Sequence, residues 1–342
     1  MTRLGVGLIG CGRIARSHTA DYYARDPEDA RLVACAELDH DARERFVADF
    51  GLGRMYDSVA DLLADDEVTA VDICTPPASH PELIRAAAEA GKHVLCEKPL
   101  GLNLDDARAA VAAADRAGVV LGVMQNYRFR PEYVDGRGWT TGGRIGRPFF
   151  ASLEGFFHWN GGAGYRQQAK RMLIIEMTYH YIDLLRFLLN DDIVRVYAAA
   201  GRSEGMSIVG ETWASLTLHF AGGAVGTILN SGECYGFPAN WGGTAVVQCT
   251  EGVVEINRRQ LYSLGVYAAG GGGRLPDRVY PADLYAPSTN MPFTRPLSAF
   301  YEALAAGRKP PVTGRENLNT LAAALASYDS LERQQAIEVP RQ

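Results

Sequence analysis

From Leu4 to Met124 the chain alternates short β-type runs with helical patterns. Gly5 to Ile9, Leu32 to Ala36, Val68 to Cys74, His93 to Cys96 and Val119 to Met124 are nearly continuously apolar, and helices are expected from Arg13, Asp41, Pro81 and Leu104. Strands that are apolar on both faces need cover on both faces, and helices in the crossovers supply it. The pattern restricts this half to a doubly wound parallel α/β sheet. The helix starts carry matching chemistry: Asn103 stands where it can cap a helix whose first turn holds Asp105 and Asp106, and Pro81 stands where a missing N–H costs nothing.

After Asn126 the texture changes. Phe149 to His158, Val194 to Ala200, Thr212 to Phe220, Ala224 to Ser231, Ala245 to Cys249, Val253 to Asn257 and Leu261 to Tyr267 read as strands, interrupted by one long helix, Leu173 to Leu189. In Thr212 to Phe220, Leu216, Leu218 and Phe220 fall on one face and Ser215, Thr217 and His219 on the other, with Gly222-Gly223 closing a hairpin into the next strand. This predicts an α+β domain on a large, mostly antiparallel open sheet with one solvated or ligand-facing side. The stretch 268–292, which opens on Gly270 to Gly273, is too long for a simple turn, and a lid, an oligomer contact and a floppy loop all fit it. Two helices, about Leu297 to Ala306 and Glu316 to Gln334, close the chain. The expected domains are 1–125 and 126–342, and 342 residues with 47% hydrophobic content suffice for two cores.

A net charge of −6 without any Lys/Arg block argues against a nucleic-acid partner, because nothing clustered is present to displace counterions. Cys11, Cys35, Cys74, Cys96, Cys234 and Cys249 show no metal-ligand spacing and read as reduced packing residues, so no metal is expected. MTRLGVGLIG lacks the apolar length of a signal peptide and no run reaches membrane-spanning length, which predicts a cytoplasmic protein with no membrane partner.

Gly10-Cys11-Gly12-Arg13-Ile14-Ala15 lies between the first strand and first helix. Gly10 permits a tight turn, Gly12 leaves room for a pyrophosphate at the backbone, and Ala15 lets helix and strand pack closely, with helix N–H groups facing the anion. A structural turn would show the same glycines, but Glu37 follows at the end of the second strand, where an acid accepts hydrogen bonds from ribose hydroxyls. Gly10, Gly12, Arg13, Ile14 and Glu37 are therefore expected to hold a dinucleotide, and Glu37-Leu38 offers no cation for a 2′-phosphate, which favours NAD over NADP. Thr75 and Pro76, in the loop after the Val68 to Cys74 strand, are expected to wall the cofactor. His80 next to them fits either a ligand contact or a local packing role.

Glu97-Lys98-Pro99 ends the His93 strand on the same edge of the sheet. A lysine held there can present its ammonium to a substrate oxygen, with Glu97 orienting it, although taken alone Glu-Lys neighbours are usually a surface ion pair. In the second half Glu176, His180 and Asp183 interrupt an apolar helix at i, i+4, i+7 and share one face. Burial of three ionisable groups without partners costs roughly several kcal/mol, so a site is the economical reading, with an internal polar network equally good for Asp183. His180 suits proton exchange with a hydroxyl, its ordinary pKa lying near about 6.5.

GCGRIARSH, CTPPASH, HVLCEKPL, GVMQNYRFRP and the helix holding His180 and Asp183 together resemble the Gfo/Idh/MocA oxidoreductases, the family of glucose-fructose oxidoreductase and inositol dehydrogenase, over essentially the whole chain. The resemblance implies an N-terminal Rossmann domain, a reacting hydroxyl oriented by Lys98, His180 as general acid/base, residue 176 on a neighbouring hydroxyl, Glu97, Lys98 and Asn126 beside the cofactor, and Tyr127 and Arg128 near nicotinamide and substrate. Arg128 also fits an interdomain salt bridge. The well-known sugar and inositol dehydrogenases of the family usually carry Asp at position 176, and this chain carries Glu176, which moves the carboxylate by about one bond length. His158, Trp159, Arg166, Asn240 and Trp241 are candidates for sugar contact through aromatic faces and polar tips, the tryptophans fitting packing roles equally well. The expected protein is an NAD-dependent dehydrogenase acting on a secondary hydroxyl of a sugar, cyclitol or related polyol, a homodimer or homotetramer through its C-terminal sheet. The alternatives are a non-catalytic NAD- or sugar-sensing regulator, against which the retention of both Lys98 and His180 counts, and a reductase of a non-sugar ketone or imine.

Overall fold

The structure, a computed structural model, describes residues 3–158, 165–204, 206, 208–234, 241–258, 263–269, 273–275, 277–280 and 293–342. It divides into two compact units, Met1–Asn126 with Ala286–Leu318, and Tyr127–Tyr285 with Asn319–Gln342. No described helix is long and apolar enough to cross a membrane.

The first unit runs β1 (Leu4–Ile9), α1 (Arg13–Asp21), β2 (Ala30–Ala36), α2 (His40–Phe50), β3 (Met55–Tyr56), α3 (Val59–Leu63), β4 (Ala70–Ile73), α4 (His80–Glu89), β5 (His93–Glu97), α5 (Leu104–Ala117) and β6 (Leu121–Met124). The strands form one parallel sheet in the order β3-β2-β1-β4-β5-β6, as the alternation predicts. Winding reverses between β1 and β4, so a crevice opens at their carboxyl ends. The caps follow from the sequence: Asn103 Oδ1 accepts the N–H groups of Asp105 and Asp106 at 2.8 and 3.2 Å, and Asp39 accepts that of Ala42 at 3.0 Å. Each such cap contributes about 1 kcal/mol.

The second unit holds α6 (Pro131–Thr141), β7 (Pro148–Phe156), α7 (Tyr165–Gln168), α8 (Tyr179–Leu189), β8 (Ile193–Gly201), β9 (Trp213–Phe220), β10 (Val225–Ser231), β11 (Thr244–Cys249), β12 (Gly252–Ile256), β13 (Ser263–Ala268), β14 (Gly273–Arg274) and β15 (Arg278–Val279); after α9 (Thr294–Ala305) and α10 (Gly314–Arg333) comes β16 (Ile337–Glu338). The sheet order is β14-β13-β12-β11-β7-β10-β9-β8-β16, with β15 paired to β13, and every pair except β10 with β7 is antiparallel. Ala214, Leu216, Leu218 and Phe220 of β9 are buried, and the hairpin into β10 closes with the Gly223 N–H on the Phe220 carbonyl at 3.0 Å. The opposite face of the sheet exposes Tyr197, Trp213, Leu229 and Tyr267.

The structure departs from the sequence reading in three places. The segment carrying α9 and the start of α10 belongs to the first unit, not the second: Tyr23 and Tyr301 share a hydroxyl hydrogen bond at 2.6 Å, Thr313 bridges to Gly122, and Leu297 and Phe300 are buried with Val6, Leu95 and Met124. Burying such side chains contributes about 1.5–3 kcal/mol each, a link that local periodicity does not show. The helix expected to run unbroken from Leu173 is a π turn over Ile174–Thr178 leading into α8. The short elements β3, α3, α7, β14, β15 and β16, and the helix α6, have no counterpart in the sequence reading, the strands because two residues carry no period. Trp159, Asn240 and most of the stretch 268–292 lie outside the described residues.

Candidate active site

In the first unit the Gly10–Gly12 loop joins β1 to α1. Gly10 sits at φ +91°, where a side chain is strained, and a Cβ there would meet Thr75 Cγ2 at 3.0 Å and the Cys74 carbonyl at 3.2 Å. Gly12 precedes α1 without any side-chain cap, and a Cβ there would enter open space. The first N–H groups of this nine-residue helix thus have no side-chain cap. A cavity of about 430 Å³ opens in front of this loop, bounded by Gly10, Gly12, Glu37, Thr75 and Pro76. Sequence reasoning missed its other walls, among them Leu38, Asp57, Val59 and Leu83, which are scattered along the chain and carry no shared pattern. Arg13 is exposed and Ile14 packs partly against the core, so neither lines this cavity.

The Glu37 carboxylate accepts the N–H of Cys11 at 2.9 Å and of Asp39 at 3.0 Å, tying the end of β2 to the glycine loop. Arg43, on α2, is buried, donates to the Glu37 carbonyl at 2.8 Å and pairs with Asp57 at 2.5 Å.

Lys98 follows β5 on the same carboxyl edge, half-buried, joined to Pro99 by a cis peptide. Glu97 is turned into the interior: one oxygen accepts the Lys98 backbone N–H at 3.1 Å and the other meets His18 Nε2 at 3.2 Å. His80 is fully buried, with Nδ1 at 2.7 Å from the Pro99 carbonyl and Nε2 at 2.8 Å from that of Thr75. It therefore bridges the two loops, and burial holds its proton affinity down against the pull of those carbonyls. Thr75 Oγ1 and Ser79 Oγ lie 2.8 Å apart, completing the loop.

His18 and Asp72 were also missed, because they lie 79 and 25 residues from Glu97 and carry no local signal. His18 Nδ1 is 2.9 Å from Asp72 Oδ2, which also accepts from Tyr23 at 2.9 Å. With Cys74 these two form the one His/Cys/acid group among the described residues whose ligand atoms lie within 4.8 Å of one another, although the sequence showed no such cluster.

In the second unit His180 is buried on α8, its ring stacked on Tyr127 at 4.0 Å and 11°. Burial pushes the Tyr127 phenol well up, and its hydroxyl, like both amide atoms of the buried Gln125, has no hydrogen-bond partner among the described residues. Glu176, in the π turn, meets Arg166 at 3.4 Å. The turn's extra residue, seen as the Tyr179 N–H reaching the Ile174 carbonyl, rotates Glu176 about the axis relative to His180, so the simple i, i+4 register does not apply. Arg128 Nε donates to Asp183 Oδ2 at 2.8 Å and Nη2 to Oδ1, a buried bidentate pair inside this unit and not between domains. Asn126 is buried at the start of the 3-10 turn Asn126–Phe129, His158 is exposed and bridges to Glu233, and Trp241 packs on Phe157 at 4.6 Å.

Residues 4–125 match the family model described as "Oxidoreductase family, NAD-binding Rossmann fold", and residues 136–255 match "GFO/IDH/MocA C-terminal domain". The chain is 30% identical over 338 residues to a D-apiose dehydrogenase of Paraburkholderia graminis, covering 97% of this chain and 88% of that protein. It is 31% identical over 343 residues to a 1,5-anhydro-D-fructose reductase of Ensifer adhaerens, covering 97% and 98%. A crystal structure of an oxidoreductase from Agrobacterium radiobacter in complex with NAD+, L-tartaric acid and magnesium superimposes with a TM-score of 0.88 at 25% identity, covering 99% of each chain. With a glycine loop and an acid at the end of the next strand on one parallel sheet, an EKP turn at its carboxyl edge and relatives matched over 97% of this chain, the chain belongs to the Gfo/Idh/MocA family of dinucleotide-dependent oxidoreductases acting on CH–OH groups.

Proposed function

We propose that the protein is an NAD-dependent dehydrogenase that oxidises a secondary hydroxyl of a sugar, cyclitol or related polyol to a ketone, or runs the reverse reduction, with Lys98 polarising the substrate oxygen and His180 exchanging its proton. The observation that carries this reading is the position of Lys98, directly after β5 on the carboxyl edge that also bears the Gly10–Gly12 loop and Glu37. The relatives' names, a D-apiose dehydrogenase and a 1,5-anhydro-D-fructose reductase, support a carbohydrate-like substrate.

The first unit fits a dinucleotide. The open space at Gly12 and the uncapped start of α1 suit phosphates, Glu37 suits ribose hydroxyls, and Leu38, Val59 and Leu83 give apolar walls for a base. Arg43 is committed to Asp57 and to the Glu37 carbonyl, and a 2′-phosphate would have to approach the Glu37 carboxylate, so NAD is favoured over NADP. Bound there, the nicotinamide supplies the acceptor for the hydride that leaves the substrate carbon. The Lys98 ammonium stabilises the charge that develops on the oxygen, and His180 takes the hydroxyl proton. Glu176, held by Arg166, accepts a neighbouring hydroxyl. Arg128 anchors the 3-10 turn through Asp183 and so fixes Tyr127 under His180. The exposed Tyr197, Trp213, Leu229 and Tyr267 support face-to-face association through the second unit's sheet.

Incubating the protein with NAD+ and a panel of D-apiose, cyclitols and pyranoses, and with NADH and 1,5-anhydro-D-fructose, tests the proposal by the absorbance of reduced nicotinamide. Turnover of at least one polyol, lost in Lys98→Met, is expected; NADH binding with no turnover of any compound would overturn it.

A further inference from the structure

The first unit buries three ionisable side chains in a row behind the Lys98 turn. His18 on α1, Asp72 on β4 and Glu97 at the end of β5 are 0%, 0% and 9% exposed. His18 places Nδ1 at 2.9 Å from Asp72 Oδ2 and Nε2 at 3.2 Å from Glu97 Oε1. Carboxylates only accept, so an imidazole bonded to one at each nitrogen carries a proton on both. Burial opposes that charge more than any other influence, but Cys74 and Asp72 beside Nδ1 outweigh it and hold His18 well above its ordinary value. Burial pushes the Cys74 thiol up to about 12, so near neutrality it is uncharged and the upward pull on His18 rests on Asp72. The other groups at the triad are Tyr23, which donates to Asp72 and is itself joined to Tyr301 of α9, and the Phe293 ring at 4.6 Å from that of His18.

Such a triad is a poor way to gain stability, because desolvating the charges consumes most of their attraction and apolar side chains of the same volume would serve as well. What it supplies is direction. Glu97 Oε2 accepts the Lys98 backbone N–H at 3.1 Å, so fixing Oε1 fixes the first peptide of the turn. His80 holds the far side of the same turn through the Pro99 carbonyl.

We propose that His18, bridging Asp72 and Glu97 as an imidazolium, is a positioning residue for Lys98: it clamps the Glu97 carboxylate, which grips the Lys98 backbone and sets the direction in which the ammonium leaves the strand end. The inference rests on the role proposed above for Lys98.

The chain has seven histidines, few enough for the ring nitrogens of 15N-histidine-labelled protein to be resolved one by one, with His18→Gln identifying its signal. The expected spectrum shows His18 doubly protonated at about pH 8 and neutral in Asp72→Asn. Turnover is then followed with NAD+ and the polyol that reacts fastest in the panel. His18→Gln, Asp72→Asn and Glu97→Gln are expected to lower kcat by about 10- to 100-fold, the cost of misplacing a catalytic group by about an ångström, while NADH dissociation constants stay within about threefold. Glu97→Gln fills the same volume and keeps an acceptor for the Lys98 N–H, but it exchanges the charge-assisted bond to His18 for a weaker neutral one and so loosens the clamp, which tests it even where the other two variants fold poorly. A neutral His18 in the wild type, a metal-coordinated nitrogen shift reversed by EDTA, or wild-type kcat in Glu97→Gln with Lys98→Met inactive would overturn this inference alone. Retained turnover in Lys98→Met would overturn it together with the proposed function.

Discussion

Replacing Asp183 by Asn separates architecture from chemistry on the helix that carries His180. The carboxylate is 1% exposed, receives two bonds from Arg128, itself 7% exposed, and a third from Thr320 at 3.3 Å. Removing one member of a buried pair costs about 3–5 kcal/mol, because the remaining charge has been taken out of water without its counterion. Asn keeps an acceptor for one guanidinium N–H, so the lower end, about 3 kcal/mol, applies. For a domain of this size each kcal/mol moves the melting temperature by about 2–4 °C, which gives a fall of roughly 6–12 °C by scanning calorimetry. The double variant Arg128→Met/Asp183→Leu removes both charges, fills similar volume and should recover most of that loss. In the single variant, turnover below the melting range should fall only as far as Tyr127 and His180 lose their stacking, with NADH affinity unchanged. A melting temperature within about 2 °C of wild type, or a double variant worse than the single, would refute the assignment of this pair to architecture and return Arg128 to the substrate.

Gly10→Ala should raise the NADH dissociation constant by about 5- to 30-fold, since the left-handed backbone and the contacts with Thr75 and Cys74 together cost about 1–2 kcal/mol; fluorescence titration checks it. Glu37→Ser should erode the preference for NAD+ over NADP+ by at least about 10-fold in kcat/KM by removing the carboxylate that repels a 2′-phosphate, and unchanged discrimination would place the selectivity elsewhere. His18 is held above its ordinary value, so its contribution to stability is fully present below about pH 6.5 and is lost as pH rises through the raised folded value. Denaturant unfolding should therefore show the gap between wild type and His18→Gln narrowing as pH rises above about 6.5 and through the raised folded value.

The parallel half of the fold was readable in the sequence because its signals are local: apolar runs, an Asn103 cap, a glycine loop and an acid at the end of the next strand all fall within a few turns of one another. The β9–β10 hairpin was readable for the same reason, its alternation and glycines being adjacent. What escaped was non-local. Tyr301 lies 278 residues from Tyr23, so no pattern assigns α9 to the first unit, and the bridge from Asp72 through His18 to Glu97 joins residues on three separate elements. The π turn escaped because a single widened turn leaves an apolar helix apolar; its trace is the polar Glu176 in the widened turn. At the site, residue types were readable and their partners were not. Arg128 fits a ligand contact or a salt bridge by its sequence, and only the structure supplies Asp183 as its partner; Glu97 is expected to orient Lys98, and only the structure supplies His18 beside its carboxylate.

The most direct test of the proposed chemistry is the steady-state rate of NAD+ reduction by the best polyol in Lys98→Met and His180→Asn beside wild type, with NADH affinity measured on the same preparations. Both variants should lose about 10³-fold or more in kcat and bind NADH within about threefold of wild type, since the proposed role of each is exerted on the reacting oxygen. Turnover within about 10-fold of wild type in either variant, at unchanged NADH affinity, would contradict the account.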